Sequence, residues 1–482
     1  MFHRTVSKES PTLGVTSFSL IQKETSKRLS RWEQLCNSYL PIAPEGSIWR
    51  FNRKPHPGDV EQGWKLHVSA TVLNAHRVLE RIAPTLLRRG IQFKAPASLA
   101  ELKRLNSGLH YSYSQIGKVI TVYPRSDEEA AVIARTLHKL TRNMSAPAVP
   151  FDLRYKSGSN LYYRYGAFRS LEIDLPNGER VSAVKDLSGN LVPDRYGLEN
   201  AQPAWAANPF PSRRARVSKD NPLKTTFHVF RALSQRGKGG VYQAVDLSVN
   251  PARLCLLKEG RKAGELGWDG RDGRWRVKHE QVVLNSLREL EVDVPRVYSS
   301  FEVAGNYYIV TEFVDGESLH SFLRRKKRRL TIAKTLKYGI QLSAFISQIH
   351  KAGWVWRDCK PSNLILTKRG ELRSLDFEGA CPINQPDRMP WMTPGFTPPV
   401  TRGEGRANSA AYDDLFALGT VLFLLLTGRI PDSFPSAMTI RGLRRNAPAD
   451  VCELIANLLN PEANQLDACD VACELTAILS RL

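Results

Sequence analysis

Hydrophobic and polar positions change period several times along the chain. Residues 64–70 (WKLHVSA) alternate with the two-residue period of a strand, and residues 118–123 (KVITVY) are β-branched and aromatic. Between them, 74–87 carries Val78, Leu79, Ile82, Leu86 and Leu87 at helical spacing, and 128–140 reads as a second helix. Strands interleaved with helices predict an α+β or α/β domain in the N-terminal half. Residues 1–55 have no clear period and are read as a cap on it. In the C-terminal half, strands are predicted at 229–233, 241–245 and 254–258, a helix at 278–290, and strands at 298–303 and 307–314. Beyond residue 318 the pattern is helical, and the apolar run 415–427 fits a buried helix. A small β lobe followed by a larger α lobe is therefore expected. Residues 200–222 are polar, basic and rich in Pro, which interrupts any continuous helix. The chain divides into residues 1–212, a linker at 213–222, and 223–482. The last part splits into a small lobe, 223–314, and a large lobe, 315–482.

Composition narrows the class. The 482 residues are 42% hydrophobic and 24% charged, which is globular, and each half is long enough to bury a core. The formal charge of +22 favours an acidic partner: nucleic acid, a membrane surface, phosphate or an acidic peptide. Seven cysteines, thinly spread and without a CxxC pair, argue against a disulfide framework or a zinc ribbon and for a reducing cytosol. The start, MFHRTVSKES, lacks the apolar stretch of a secretory signal, and the longest apolar run is too short to span a bilayer. A cytoplasmic protein with no membrane partner is expected.

Residues 355–366 (VWRDCKPSNLIL) place Asp358, Lys360 and Asn363 in a short loop ahead of an apolar strand. A carboxylate there can accept a hydroxyl proton, the Lys can meet a moving phosphoryl charge, and the Asn can hold a metal. Asp376, in SLDFEGA, adds a second carboxylate suited to Mg²⁺. These are the parts that in-line phosphoryl transfer needs. Over about residues 223–482 the chain resembles protein kinases. The catalytic loop resembles H-R-D-x-K-x-x-N with Trp356 in the His place, and Asp376-Phe377-Glu378 resembles D-F-G with Glu in the Gly place. The resemblance implies ATP and Mg²⁺ as cofactors. It gives Lys258, in LLK, the α/β-phosphates, with Glu280 as its helix partner and Glu265 as the weaker candidate. It makes Thr311-Glu312-Phe313-Val314 the hinge that holds adenine, with Glu312 and Val314 in contact with nucleotide. Asp414 would brace the catalytic loop. The glycine loop departs from the family: Ser234 and Arg236 replace its first two glycines and Gly239 stays in place. Gly237 and Gly240 restore flexibility ahead of Val241, and Arg236 or Lys238 is placed to reach a phosphate. The A-P-E position reads Pro398-Pro399-Val400 and its usual Arg partner falls at Gln465. With both ends of that ion pair absent together, a replaced structural contact explains the change better than a dead enzyme does.

The N-terminal half sets cations beside strand-like segments: WKLHVSA (64–70), IQFKAP (91–96), IGKVITVYP (116–124) and YYRYGAF (162–168). Lys65 and His67 are two apart, so a strand points both to one face. Several cations around one acid or base suggest a phosphate site, with Arg164 able to clamp it bidentately. These segments resemble the lyase domain of class III and class IV lanthipeptide synthetases, itself similar to the phosphothreonine lyase effectors of pathogenic bacteria. The resemblance implies Lys94 as the base that removes a Cα proton and His67 as the acid that protonates the departing phosphate. It implies Lys65, Lys118 and Arg164 as phosphate ligands, with Tyr123 near them.

Together the two halves imply an α+β protein that phosphorylates Ser or Thr of a ribosomal precursor peptide with a leader. It would then eliminate phosphate to leave dehydroalanine or dehydrobutyrine. The family continues into a cyclase that does not follow Leu482, so ring closure is expected of a separate partner, by another mechanism, or not at all. Two alternatives stay open: a Ser/Thr kinase with an accessory binding domain, and a non-catalytic peptide-binding scaffold. A nucleic-acid partner is motivated by charge alone and is not expected. The basic run 323–330 (LRRKKRRL) is read as a solvated face or as a surface that steers an acidic peptide.

Overall fold

The computed structural model describes residues 18–194, 202–210, 221–326, 329–385, 387, 391, 393–398, 411–460 and 466–482. The N-terminal domain runs α1 (Phe18–Tyr39), β1 (Trp49–Phe51), β2 (Gln62–Val68), α2 (Ala75–Arg88), β3 (Gln92–Pro96), α3 (Leu99–Ser107), β4 (Ile120–Tyr123), α4 (Asp127–Thr141), β5 (Leu153–Arg154) and β6 (Leu161–Ala167). Its strands form one sheet in the order β1-β3-β4-β2-β6-β5. Every pairing in it is antiparallel, so this domain is α+β in character.

Alternation in β2 decides the two faces. Trp64, Leu66 and Val68 are buried in a core shared with Val78, Leu79, Ile82 and Leu86 of α2 and Ile133 of α4. Leu87, expected in the same stripe, is exposed instead, because the stripe ends with Leu86. Ser126 caps α4 by accepting from Glu129 N, and acidic residues fill its first turn. The described part of 1–55 is built into the domain rather than set apart from it. Trp32, Leu35, Cys36 and Leu40 are buried in the same core, and β1 extends the sheet. A small sheet of β7 (Glu172–Asp174), β8 (Arg180–Lys185) and β9 (Leu191–Pro193) follows, which the periodicity did not predict. Linker residues 213–220 lie outside the described residues.

The second domain begins with α5 (Pro222–Thr225). Its small lobe is the antiparallel sheet β10-β11-β12-β14-β13, from β10 (Phe227–Gln235), β11 (Gly240–Asp246), β12 (Arg253–Gly260), β13 (Val297–Val303) and β14 (Asn306–Glu312). Helix α6 (Gly273–Glu289) starts earlier than its apolar pattern, since Asp272 caps it by accepting from Trp275 N. The large lobe packs α7 (Leu319–Lys326), α8 (Ile332–Lys351), α9 (Ala411–Thr427), α10 (Ala437–Leu443), α11 (Ala449–Leu459) and α12 (Ala468–Ser480) into one core. Helix α9 is buried along nearly its whole length, as its all-round apolar pattern predicts. Pro399, Val400 and Gln465 lie outside the described residues. Part of the basic run is structural: Arg325 pairs with Glu317, Arg329 donates to Leu443 O, and Leu330 is buried.

The domains meet at the glycine loop. Gly237 N donates to Ser107 O (2.9 Å), and the Arg261 guanidinium lies 5.0 Å from the Tyr113 ring centre. Among the described residues no helix is long and apolar enough to cross a membrane, and all seven cysteines are free thiols.

Candidate active sites

In the second domain, β12 carries Lys258 under the glycine loop and α6 brings Glu280 to it. The Lys258 ammonium lies 2.6 Å from Glu280 Oε2 and donates to Asp376 Oδ1 at 2.7 Å. Glu280, not Glu265, is thus the partner on α6, and it also accepts from Phe377 N (3.2 Å). Asp376 sits at φ +63°, which turns its carboxylate toward the lysine. Burial works against its charge, yet Lys258 and Lys238 hold it well below the usual carboxylate range.

The loop holding Asp358 hangs from Asp414 at the start of α9. Asp414, fully buried, accepts from Trp356 N (2.8 Å) and Arg357 N (2.7 Å), with His350 Nε2 at 3.0 Å. Trp356, in the place of the family His, is buried and packs on Phe377, and its indole donates to Asp376 O at 3.0 Å. The carboxylate of Asp358 accepts from Lys360 (2.6 Å), Asn363 Nδ2 (2.7 Å) and Thr393 Oγ1 (3.0 Å). Burial and the Asp376 charge raise Asp358 above its ordinary range, the direction that suits a proton acceptor. Asp376 and the Asn363 amide are hard oxygen donors, a set that fits Mg²⁺. Gly239 and Gly240 are required by packing, because a Cβ on Gly239 would meet Glu259 O at 1.7 Å and one on Gly240 would strike the Tyr242 ring. Val241 pairs with Lys258 across β11 and β12. Glu312 ends β14 with Val314 just beyond it, and the Glu312 side chain turns to Arg373 (3.4 Å).

In the N-terminal domain the sheet register gathers the expected residues. Lys94 pairs with Thr121, Thr121 with His67, and His67 with Tyr162 across four strands. Gln92 pairs with Tyr123 in the neighbouring row, and Lys65 with Arg164. Direct antiparallel partners share a face, so Lys94, His67, Lys65, Tyr123 and Arg164 all stand opposite the apolar core. Lys118 enters from the turn before β4. Its ammonium lies 3.0 Å from Asp152 Oδ1, whose other oxygen lies 2.5 Å from His67 Nδ1. An ionised carboxylate only accepts, so Nδ1 carries the hydrogen and Nε2 is left for the ligand. Burial would raise Asp152, but His67 and Lys118 hold it down to about 2.

Lys94 and Lys65 are poised near neutrality. Burial pushes Lys94 down to about 8, and its ammonium lies 4.2 Å from the Trp49 ring centre. Burial and Arg164 push Lys65 down to about 7. Burial also lowers Lys118 against the pull of Asp152, and raises Tyr123. Burial pushes His67 down to about 4 although Asp152 opposes it, so the imidazole is neutral at pH 7 in the ligand-free site. To serve as the acid that the resemblance implies, His67 would therefore have to take up its proton when a charge arrives. Arg164 is paired with Asp194, just beyond β9.

Residues 43–222 match the family described as RamC, N-terminal domain, and residues 236–465 match the protein kinase domain. The chain joins a RamC N-terminal domain to a protein kinase domain. The probable SapB synthase of Streptomyces coelicolor is 29% identical over 432 residues, 86% of this chain and 44% of that protein. Serine/threonine-protein kinase F of Synechocystis is 27% identical over 255 residues, 48% of this chain and 50% of that kinase. CBL-interacting serine/threonine-protein kinase 24 of Arabidopsis thaliana is 33% identical over 162 residues, 33% of this chain and 35% of that kinase. The chain therefore spans half or less of the length of these relatives. The order of domains is consistent with the resemblance to class III and class IV lanthipeptide synthetases.

Sequence reasoning missed Asp152 and Asp194 in the RamC-type domain and Thr393 in the kinase domain. Each is a lone polar residue in an irregular segment, and no local period marks it. For the two aspartates the signal is charge balance, since the desolvated cations Lys118 and Arg164 need counter-ions.

Proposed function

We propose that the chain is a peptide dehydratase. Its kinase domain phosphorylates Ser or Thr of a ribosomal precursor peptide with ATP, and its RamC-type domain removes the phosphate to leave dehydroalanine or dehydrobutyrine. The observation that carries this reading is one sheet face holding Lys94, Asp152-braced His67, Lys65 and Arg164, with Lys118 beside it, on a chain whose kinase groups are also assembled.

For transfer, Asp358 takes the hydroxyl proton as the substrate oxygen bonds to the γ-phosphorus and the bond to ADP breaks. Lys360, held 2.6 Å from Asp358, stands where the moving charge develops, and Lys258 holds the inner phosphates. Asn363 and Asp376 would hold Mg²⁺, which would neutralise phosphate charge. For elimination, Lys65, Lys118 and Arg164 receive the phosphate dianion. Lys94, largely desolvated, takes the Cα proton in its amine form, the Cβ–O bond breaks, and the electron pair becomes the new double bond. His67 Nε2 gives its proton to the departing phosphate. The arriving dianion favours the imidazolium, so binding itself raises His67 from its ligand-free value. Two sites on one chain keep the phosphopeptide at high effective concentration. Free thiols and ATP use fit a cytoplasmic setting.

The test is mass spectrometry of a genomically neighbouring small peptide incubated with the chain, ATP and Mg²⁺. Wild type should remove one water per modified site, and Lys94→Met should leave phosphate on the peptide. A synthetic phosphoserine peptide that the folded wild type never converts to an alkene sinks the elimination half.

A further inference from the structure

The glycine loop is held from both sides by its own backbone. Arg236 N donates to Gly239 O (2.8 Å), Gly239 N donates to Arg236 O (3.2 Å), and Gly237 N donates to Ser107 O of the neighbouring domain (2.9 Å). Lys238 O accepts from Arg261 N (2.8 Å). A Cβ on Gly237 would meet Asn106 O at 1.7 Å, and one on Gly273 would meet Lys238 O at the same distance. Three amides that such a loop would offer to a phosphate are therefore already engaged. The Lys238 side chain instead runs inward and donates to Glu378, the residue that stands where the kinase family has glycine. Glu378 is 3% exposed, and its second oxygen lies 3.7 Å from Lys258 Nζ. Glu280, Asp376 and Glu378 each have a carboxylate oxygen within 4.8 Å of the others, so Lys238 and Lys258 together face three acids.

We propose that Lys238 holds the phosphates of the nucleotide in place of the loop amides, and that Glu378 is the counter-ion that keeps Lys238 turned inward until the nucleotide takes it over. This rests on the kinase reading above and names how that site grips its nucleotide. A buried carboxylate without glycine's small size is otherwise hard to account for beside Asp376. A half-buried lysine beside other cations is best held by an anion in either state, and a phosphate oxygen supplies the same charge-assisted bond as a carboxylate. On handover Glu378 keeps Lys258 as a cation within reach. The nucleotide must displace an ion pair, so Glu378 lowers apparent affinity while it keeps Lys238 paired in the empty site.

The experiment measures binding of ATP with Mg²⁺, and of adenosine, to the full chain by calorimetry, with a thermal melt confirming that each variant is folded. Lys238→Met should weaken ATP by about 10- to 100-fold, the worth of one charge-assisted bond, and leave adenosine unchanged. Lys238→Arg, which keeps the cation, should restore most of the loss. Glu378→Gln should tighten ATP severalfold, and the double variant should bind ATP as Lys238→Met does. Wild-type affinity for ATP in Lys238→Met overturns the proposal. So does a Mg²⁺-dependent loss of ATP binding in Glu378→Gln, which would make Glu378 a metal ligand. If wild type binds ATP and Lys258→Met does not, the kinase reading stands whatever Lys238 does. If wild type binds no ATP, both fall together.

Discussion

Asp152→Asn tests the proposed elimination site at the joint that holds it. The Asp152 side chain is 1% exposed and serves two buried groups at once, the His67 imidazole at 2.5 Å and the Lys118 ammonium at 3.0 Å. Asparagine keeps the shape and removes the charge. Lys118 then loses its ion-pair partner and His67 loses the group that fixes its tautomer. Losing a properly oriented imidazole in this way slows acid–base chemistry by about 10²- to 10⁴-fold. The expected assay is single-turnover conversion of a synthetic phosphoserine peptide to dehydroalanine, followed by mass spectrometry across pH. The rate should fall by about that factor, and the limb of the pH profile that reports His67 should move to lower pH, because the raising influence of Asp152 is gone. Stability gives a second readout. Asp152 is held down to about 2, below its unfolded value of about 3.9, so its contribution is present above pH 4 and lost as pH falls through 2. Removing it should cost roughly 3 kcal/mol at pH 7. Elimination at the wild-type rate with an unmoved pH profile would refute the positioning argument.

Other outcomes follow from the same geometry. Asp358→Asn should abolish phosphorylation while leaving elimination from a pre-phosphorylated peptide intact, read by mass spectrometry in two separate incubations. Elimination should follow a bell-shaped pH profile, because it needs Lys94, pushed down to about 8, without its proton and His67 with one. Since Lys94 is depressed below the unfolded lysine value of about 10.4, the unfolded chain binds the extra proton between about 8 and 10.4 and this group's contribution to stability rises with pH there. Lys94→Met should accordingly melt higher than wild type at pH 7 although it cannot eliminate. Asp414→Ala leaves Trp356 N and Arg357 N without their acceptor and should destabilise the kinase domain by about 3 kcal/mol, seen as an earlier thermal transition.

Much of the protein is legible in its order of residues. The two-residue period of β2 already sets Trp64, Leu66 and Val68 against Lys65 and His67, and the all-round apolar pattern of α9 already says that it is buried. The grouping Asp358, Lys360, Asn363 and then Asp376 states its chemistry because those groups lie on one short stretch of loop and strand. Local pattern could not show α1 joining the N-terminal core, nor the small sheet of β7, β8 and β9, whose largely exposed strands carry little apolar signal. It also could not show which anions answer the buried cations. Asp152 lies 85 residues from His67 and Glu378 lies 140 from Lys238. A chain's period reports which face of one element turns inward. The partner of a desolvated charge is chosen only when distant segments close around it, because the need for that partner does not exist until water has been removed.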